Sequence, residues 1–203
     1  TDTAPEQILA ITFTESGVKA MRQRLVSFIG PLAYRVPIHT FHSLAGRLIA
    51  EYPTAYETVV GGRPASDLEK FNLIEAILSD PAYKALRPHG DPIYYIKPII
   101  DALSTLKKEY ISPDDLAAAI KKQEAALLLI PKLHEKGAHR GKVRGEYLEA
   151  EKLLKRNLEL LSVYRSYQAG LKAKKLYDYE DMILDTIKAL KVNEDMLRDQ
   201  QER

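Results

Sequence analysis

The sequence predicts a mainly α-helical protein that also contains two short β-strands near its beginning. Residues 8–14 and 34–41 are apolar and rich in β-branched side chains, and a helical pattern follows each run at once. This strand–helix rhythm is typical of a parallel sheet, but two strands alone do not form a stable domain. Residues 55–175 instead show apolar side chains at helical spacing throughout. We therefore expect that the two strands either pair with something absent from this sequence or belong to a fragment of a larger domain.

The helix boundaries are predicted from periodicity, from capping residues and from Gly or Pro beyond the last turn. Ser112-Pro113-Asp114-Asp115 is a strong start, with a Ser cap, Pro in the first turn and acids at the positive end of the dipole. Glycine-punctuated residues 132–145 are predicted to be an exposed basic loop. The predicted helices are residues 15–29, 42–51, 68–80, 93–110, 113–130, 146–175, 177–190 and 194–203.

Composition restricts the class of function. The chain of 203 residues has a net charge of +2, yet residues 121–175 hold 14 Lys and Arg against 6 Glu, a surplus of 8 positive charges. Such asymmetry is typical of an arm that meets nucleic acid or another acidic partner, although a solvated helical surface also produces it. With no Cys and no apolar run of membrane-spanning length, we expect a cytoplasmic protein without disulfides or a membrane partner.

Two clusters resemble metal or catalytic motifs, and we expect neither to be one. His134 and His139 lie five residues apart, whereas a helical zinc motif needs a spacing of four to bring both imidazoles to one face. Glu180 and Asp181 stand at a predicted helix start, where adjacent acids usually cap the helix and complement its dipole. The sequence therefore predicts no catalytic residue and no metal site.

A third cluster, with Gly137, Gly141, Lys142 and Gly145, resembles a phosphate-binding loop. No strand precedes these residues, and no Gly-Lys-Ser/Thr sequence ends them, so a Walker-type loop is excluded. The expected structure is a flexible basic loop that can touch a phosphate backbone.

The chemistry that remains lies at the ends of the two predicted strands. Phe13 and Phe41 are each flanked by hydroxyl residues; these are Thr12, Thr14, Thr40 and Ser43, and His42 follows the second Phe. A Phe at a strand end is usually part of a core. However, open α/β sheets bind ligands at the carboxyl ends of their strands, where helix N-termini attract phosphates and aromatic faces accept bases. Two such ends predict a track for single-stranded nucleic acid.

Three sequence motifs resemble those of superfamily 1 DNA helicases of the UvrD/PcrA/Rep type. ILAITFT (residues 8–14), followed by VKAMRQRL (residues 18–25), is similar to motif Ia, and IHTFHSLAGRLI (residues 38–49) is similar to motif Ib. LYDYEDMI (residues 176–183) resembles the element that returns the chain to the first RecA-like domain after a helical insertion. The likeness extends over the whole chain, with specific motifs at both ends and a weak pattern between them.

The resemblance implies a division of the chain. Residues 1–52 would belong to an incomplete first RecA-like α/β motor domain. Residues 53–176 would form a helical insertion domain of about six to eight helices beside the DNA path. Residues 177–203 would return to the motor domain.

The resemblance also implies which residues contact DNA. Phe13 would stack on a base, and Thr14, Thr40 and His42 would contact the backbone. The chemistry of the strand ends adds Phe41 and Ser43 to this DNA-binding set. Lys19, and Arg140, Lys142 and Arg144 of the basic loop, are the candidates for cationic contacts with the backbone. The implied partners are single-stranded DNA and single/double-strand junctions.

This sequence departs from the family pattern in two respects. Where the family commonly has Asn-Lys after Thr-Phe-Thr, this chain has Glu15-Ser16, so a cationic contact there is lost or is supplied by Lys19. The Walker A and Walker B motifs and the second motor domain are not in these 203 residues. We therefore expect part of an ATP-dependent 3′-to-5′ helicase that acts in DNA repair or replication. This part is expected to be inactive alone and to hold no cofactor, whereas the parent protein would use ATP and magnesium.

Two alternatives remain open. A RecB/AddA-type helicase–nuclease shares these motifs and would differ by a nuclease domain elsewhere in the parent. A non-enzymatic helical adaptor that binds protein would differ by not binding DNA.

Overall fold

A computed structural model describes residues 3–56, 59, 61–87, 93–136 and 139–202. These residues form eight α-helices and two parallel sheets of two strands each, which confirms the predicted mainly α fold. The chain divides into two compact units; Thr1–Pro64 with Lys175–Arg203 form unit 1, and Ala65–Lys174 form unit 2. Within the described residues, none of the helices is both long and apolar enough to cross a membrane.

Unit 1 begins with two strand–helix pairs. Strand β1 (Ala10–Thr12) leads into helix α1 (Glu15–Ile29), and strand β2 (Ile38–Thr40) leads into helix α2 (Phe41–Glu51). Both strands are shorter than the sequence predicts. The first ends early because Thr14 serves as the N-cap of α1.

The first two residues of the second predicted strand, residues 34 and 35, belong to a 3₁₀ helix and are not extended. Gly30 adopts a φ of 61°, and Gly30–Arg35 forms a 3₁₀ helix with Pro at its start. The Arg22 guanidinium stabilises this turn by donating hydrogen bonds to the carbonyls of Ala33 at 2.6 Å and Val36 at 2.7 Å. The strand prediction was wrong there because this long-range contact leaves no periodic signal.

The second sheet of unit 1 lies where the chain leaves the unit and returns to it. Strand β3 (Arg63–Pro64) pairs in parallel with β4 (Leu176–Tyr177), and the Arg63 amide donates to the Lys175 carbonyl at 3.1 Å. The sequence instead predicts loops at residues 63, 64 and 176 and a helix from residue 177, because two-residue strands are too short to show alternation. Residues 57, 58 and 60 of the predicted loop lie outside the described residues.

The core of unit 1 joins α2 to the final two helices, α7 (Tyr179–Val192) and α8 (Glu194–Glu202). Its buried members are Leu48, Tyr56, Ala189 and Met196. Tyr56 therefore packs with the strand–helix unit, and the contact-based division falls at Pro64, later than the boundary at residue 52 that the resemblance implies.

Unit 2 is built from four helices in its described residues: α3 (Asp67–Leu78), α4 (Ile93–Lys108), α5 (Pro113–Leu129) and α6 (Gly145–Ala173). The predicted caps are present, since the hydroxyls of Ser66 and Ser112 each accept a backbone N–H from the first turn of α3 and α5. The core contains fully buried aliphatic and aromatic side chains: Ile74, Leu78, Ile96, Leu103, Val163, Tyr164 and Tyr167.

The basic segment between α5 and α6 is exposed, as predicted, but its backbone is more regular than a flexible loop. Leu133 and Val143 form an antiparallel bridge, and the Arg144 amide donates to the Lys132 carbonyl at 2.9 Å. Helices α5 and α6 thus form a hairpin that ends in a bridged turn. Residues 137 and 138, including the predicted Gly137, lie outside the described residues.

Candidate nucleic-acid interface

The two strand ends predicted to carry function lie side by side. Strands β1 and β2 pair in parallel with Thr12 opposite Thr40, so their carboxyl ends align at one edge. Helices α1 and α2 begin immediately beyond that edge. The arrangement therefore places two helix N-termini, with their unsatisfied amides and positive dipole ends, next to each other.

Threonine hydroxyls fix both helix starts. Thr14 Oγ1 accepts the Gly17 amide at 2.9 Å, and Thr40 Oγ1 accepts the Ser43 amide at 3.0 Å. Ser43 Oγ in turn accepts the Thr40 amide at 2.9 Å, which completes a capping box. Thr40 is buried with its hydroxyl engaged in the cap, so this geometry favours a positioning role for it, whereas Thr14 and Ser43 are exposed.

Gly17 allows α1 to begin close to the end of β1. A Cβ at this position would lie 2.5 Å from Thr12 Oγ1, well inside van der Waals contact. The absence of a side chain at Gly17 therefore brings the first turn of α1 against the strand end.

An exposed aromatic pair covers this edge. The rings of Phe13 and Phe41 have centroids 5.2 Å apart and an interplanar angle of 49°. The side chain of Phe13 is 85% exposed and that of Phe41 is 41% exposed, so neither is a core residue. The pair is therefore open to a ligand at the edge where open α/β sheets bind theirs.

His42 extends the aromatic surface towards α7. Its ring contacts Tyr179 edge-on, with centroids 5.3 Å apart, and Tyr179 is itself mostly exposed. Tyr179 was missed by sequence reasoning, which considered only the acids that follow it. The similarity of residues 176–183 to a motor-domain element was the one signal that could have placed it here.

A second histidine, His39 of β2, lies beside Ser43 and was also missed. His39 Nδ1 is 3.4 Å from Ser43 Oγ. Burial lowers the pKa of His39, and the positive charges of Arg47 and Arg22 lower it further, while Glu15 opposes them. We therefore expect a neutral imidazole at pH 7, suited to orient the Ser43 hydroxyl and not to bind phosphate as a cation.

The four predicted basic residues are distributed over both units. Lys19 is exposed on α1 in unit 1. Arg140 and Lys142 are exposed in the bridged turn of unit 2, and Arg144 is the N-cap of α6, with its guanidinium 3.6 Å from the Glu146 carboxylate. Their predicted contacts with a DNA backbone stay predictions.

The clusters considered as metal or catalytic sites have structural roles or too few ligands. The Asp181 carboxylate accepts the Asp178 amide at 2.8 Å, as expected of an acid in the first turn of a helix. His134 and His139 have ring centroids 5.8 Å apart. Within the described parts of the chain, His, Asp and Glu nowhere gather in a group of three that could hold a metal ion.

Fold and site together define a mainly α protein in which one parallel strand edge carries exposed aromatic rings between two capped helix starts. The family model of the UvrD/REP helicase N-terminal domain matches residues 1–203, so the chain belongs to that family. This result confirms the resemblance drawn from residues 8–14, 38–49 and 176–183.

Curated relatives share this similarity over most of the chain. PcrA of Bacillus subtilis, an ATP-dependent DNA helicase, is 27% identical over 189 residues, which cover 91% of this chain and 20% of PcrA. UvrD1 of Mycobacterium tuberculosis, also an ATP-dependent DNA helicase, is 25% identical over 185 residues, with the same coverage of 91% and 20%. A probable DNA helicase of Mycoplasma pneumoniae is 23% identical over 197 residues, or 96% of this chain and 30% of that protein. The chain spans about a fifth of the length of the first two.

Proposed function

We propose that this chain supplies single-stranded DNA contacts to an ATP-dependent DNA helicase that moves 3′ to 5′ in DNA repair or replication. Membership of the UvrD/REP family supports the helicase class, and the names of PcrA and UvrD1 support DNA as the substrate of the parent protein. The direction of movement and the repair or replication role follow from the resemblance in the sequence.

The observation that carries this proposal is the exposed Phe13–Phe41 pair at the carboxyl edge of β1 and β2. Bases of a single strand are free to stack on aromatic faces, and each such contact is worth about 1–3 kcal/mol. The bases of a duplex are already stacked and paired, so they do not reach these rings without unpairing. The pair therefore favours single strands over duplex DNA.

The groups beside the rings match the chemistry of the DNA backbone. The exposed residues Thr14 and Ser43 stand at the starts of α1 and α2, where their hydroxyls accept capping amides, and helix N-termini attract phosphate oxygens. Lys19, one turn into α1, is placed to supply the cation that the Glu15-Ser16 departure removes. In this arrangement the rings bind bases while the helix starts bind the backbone.

ATP and magnesium would be bound by the parent protein outside these 203 residues. The only Gly-Lys sequence, Gly141-Lys142, is followed by Val143, which bridges to Leu133 instead of opening a helix. A phosphate-binding loop requires a strand, a glycine-rich loop and a helix start in succession, so this turn does not fit a nucleoside triphosphate. The chain's own residues accordingly contribute DNA binding and no step of ATP hydrolysis.

We expect the 203-residue chain to bind single-stranded DNA more tightly than a blunt duplex of the same length. Fluorescence anisotropy with a labelled oligothymidine and with the matched duplex, each at low and moderate salt, measures this preference. Phosphate contacts release counterions, so affinity for the single strand should fall as salt rises. Equal affinity for the duplex, or no binding to either DNA at low salt, would contradict the proposal; the second result is the one expected of a protein-binding adaptor.

A further inference from the structure

The distal half of the α5–α6 hairpin is not supported by a core of its own. The buried residue of α5 is Ile120, and those of α6 begin only at Leu161, so residues 121–160 contribute no buried side chain among those described. The Asn157 side-chain amide donates to Gln123 Oε1 at 2.8 Å, which aligns the two helices antiparallel. The hairpin therefore continues beyond the core of unit 2 as a thin two-helix arm.

This arm exposes leucines instead of the polar residues expected on a solvated helix. Leu128 and Leu129 are 87% and 83% exposed, and Leu148 on α6 is half exposed. Leu128 and Leu148 each follow a half-buried residue, Leu127 and Tyr147, by one position. Where two antiparallel helices pack along a shared seam, the residue that follows a seam residue points to the same side of the pair on both helices. The reason is that each residue advances around its helix by about 100°. The two leucines thus point to the same side of the hairpin, and both are left exposed there.

Positive charge surrounds these two leucines at the end of the arm. The cations of the bridged turn and its flanks are Lys132, Lys136, Arg140, Lys142 and Arg144, against Glu135 and Glu146 as acids. A groove of about 350 Å³ opens in the same turn; it is lined by Pro131 and Leu133 and by four polar side chains, those of His134, Glu135, Lys136 and Arg144. The arm tip, meaning described residues 128–136 and 139–148, combines exposed leucines, a concave groove and a cationic rim.

We propose that the arm tip docks an acidic amphipathic segment of a partner protein, with its apolar side chains on Leu128 and Leu148 and its carboxylates on the cationic rim. Nucleic acid would satisfy the charges, but its phosphates would leave the leucines in water. An anionic bilayer would satisfy both features, but a bilayer is flat, whereas a peptide can also enter the groove and meet its polar lining. Apolar anchors within a charged rim are the usual composition of a helix-binding surface.

The direct test is fluorescence anisotropy of a short labelled helical peptide with leucines on one face and glutamates on the other, titrated with the 203-residue chain. We expect binding that weakens with salt, and at least about tenfold weaker binding for the double variant Leu128→Ser, Leu148→Ser. Both positions are exposed, so the variant should keep its circular dichroism spectrum. Leu68→Ser is the matched control, because Leu68 is also exposed in unit 2, on α3. Helix α3 is far from the arm tip, because its residue Leu73 packs at Gly170, which lies about 33 Å along α6 from Leu148.

Four results would overturn the proposal: no binding of the acidic peptide, equal binding of a peptide with lysines for its glutamates, an unchanged affinity of the double variant, or the same loss in the control. If the chain does not bind the peptide but binds anionic vesicles, single-stranded DNA or a second copy of itself, and the double variant weakens that binding, the partner proposed here is wrong and the one bound replaces it. Phe13→Ala should leave peptide binding unchanged, so failure here is distinguishable from failure of the DNA-binding proposal.

Discussion

Replacing Phe13 by Ala is expected to weaken binding of single-stranded DNA by about tenfold while leaving the fold intact. The ring is exposed and contacts Phe41, so its removal takes away a stacking face without opening a cavity. A loss of one base–aromatic contact costs about 1–3 kcal/mol, and tenfold corresponds to about 1.4 kcal/mol. Anisotropy titrations of labelled oligothymidine with the wild-type chain and the variant measure the change.

The matched control is Phe28→Ala. Phe28 is 72% exposed on the same helix, but it lies near the C-terminal end of α1, 13 residues beyond Glu15 and thus about 20 Å from the helix start. A Phe28→Ala variant should bind DNA like the wild type. Equal losses for both substitutions would mean that exposed aromatic area in general, and not the strand edge, governs binding.

The largest effect on stability is expected from Met196→Ala in α8. Met196 is 1% exposed and packs with Leu48 and Tyr56 in the core that joins α2 to the final helices. Truncating a buried Met to Ala leaves a cavity and typically costs about 2–5 kcal/mol. Urea unfolding followed by circular dichroism should therefore show an earlier transition for unit 1.

Leu197→Ala, one position further along, provides the comparison for that measurement. Leu197 is 38% exposed, so its truncation removes less buried area and should lower the free energy of unfolding by less than about 1 kcal/mol. Similar losses for the two variants would contradict a special role of Met196 in the core, because Ala is the stronger helix former and neither substitution weakens helical propensity.

The elements that depend on local chemistry were predictable from the sequence. Ser66 and Ser112 cap their helices as expected, and Asn193 Oδ1 accepts the Met196 amide at the start of α8. Neighbouring residues alone determine these contacts, so their signal stands in a few adjacent letters. The helical character of the chain follows from the same kind of evidence.

Contacts between distant residues were not predictable in the same way. The Arg22 guanidinium holds a 3₁₀ turn where a strand is predicted, through carbonyls 11 and 14 residues away. Strands β3 and β4 pair although neither is long enough to show a period. Such features depend on where the chain returns in space, which one sequence does not specify.

The candidate site shows the same division. That Phe13 and Phe41 lie together followed from a general rule, since parallel strands bring their carboxyl ends to one edge. The burial of Thr40 and the contact of His42 with Tyr179 depend on packing of α2 against α7, so only the structure reveals them. The sequence therefore identified the edge, while the structure distinguishes residues that face solvent from those that position them.

The most direct test of the central claim is to locate a bound single strand on the protein. Oligonucleotides carrying 5-iododeoxyuridine crosslink under ultraviolet light to aromatic side chains on which the base stacks, and peptide mass spectrometry identifies the residue. We predict crosslinks at Phe13 or Phe41, lost when the chain is competed with unlabelled single-stranded DNA. Crosslinks confined to residues 132–147 of the arm, with none at residues 13, 41 or 179, would contradict a DNA-binding role for the strand edge.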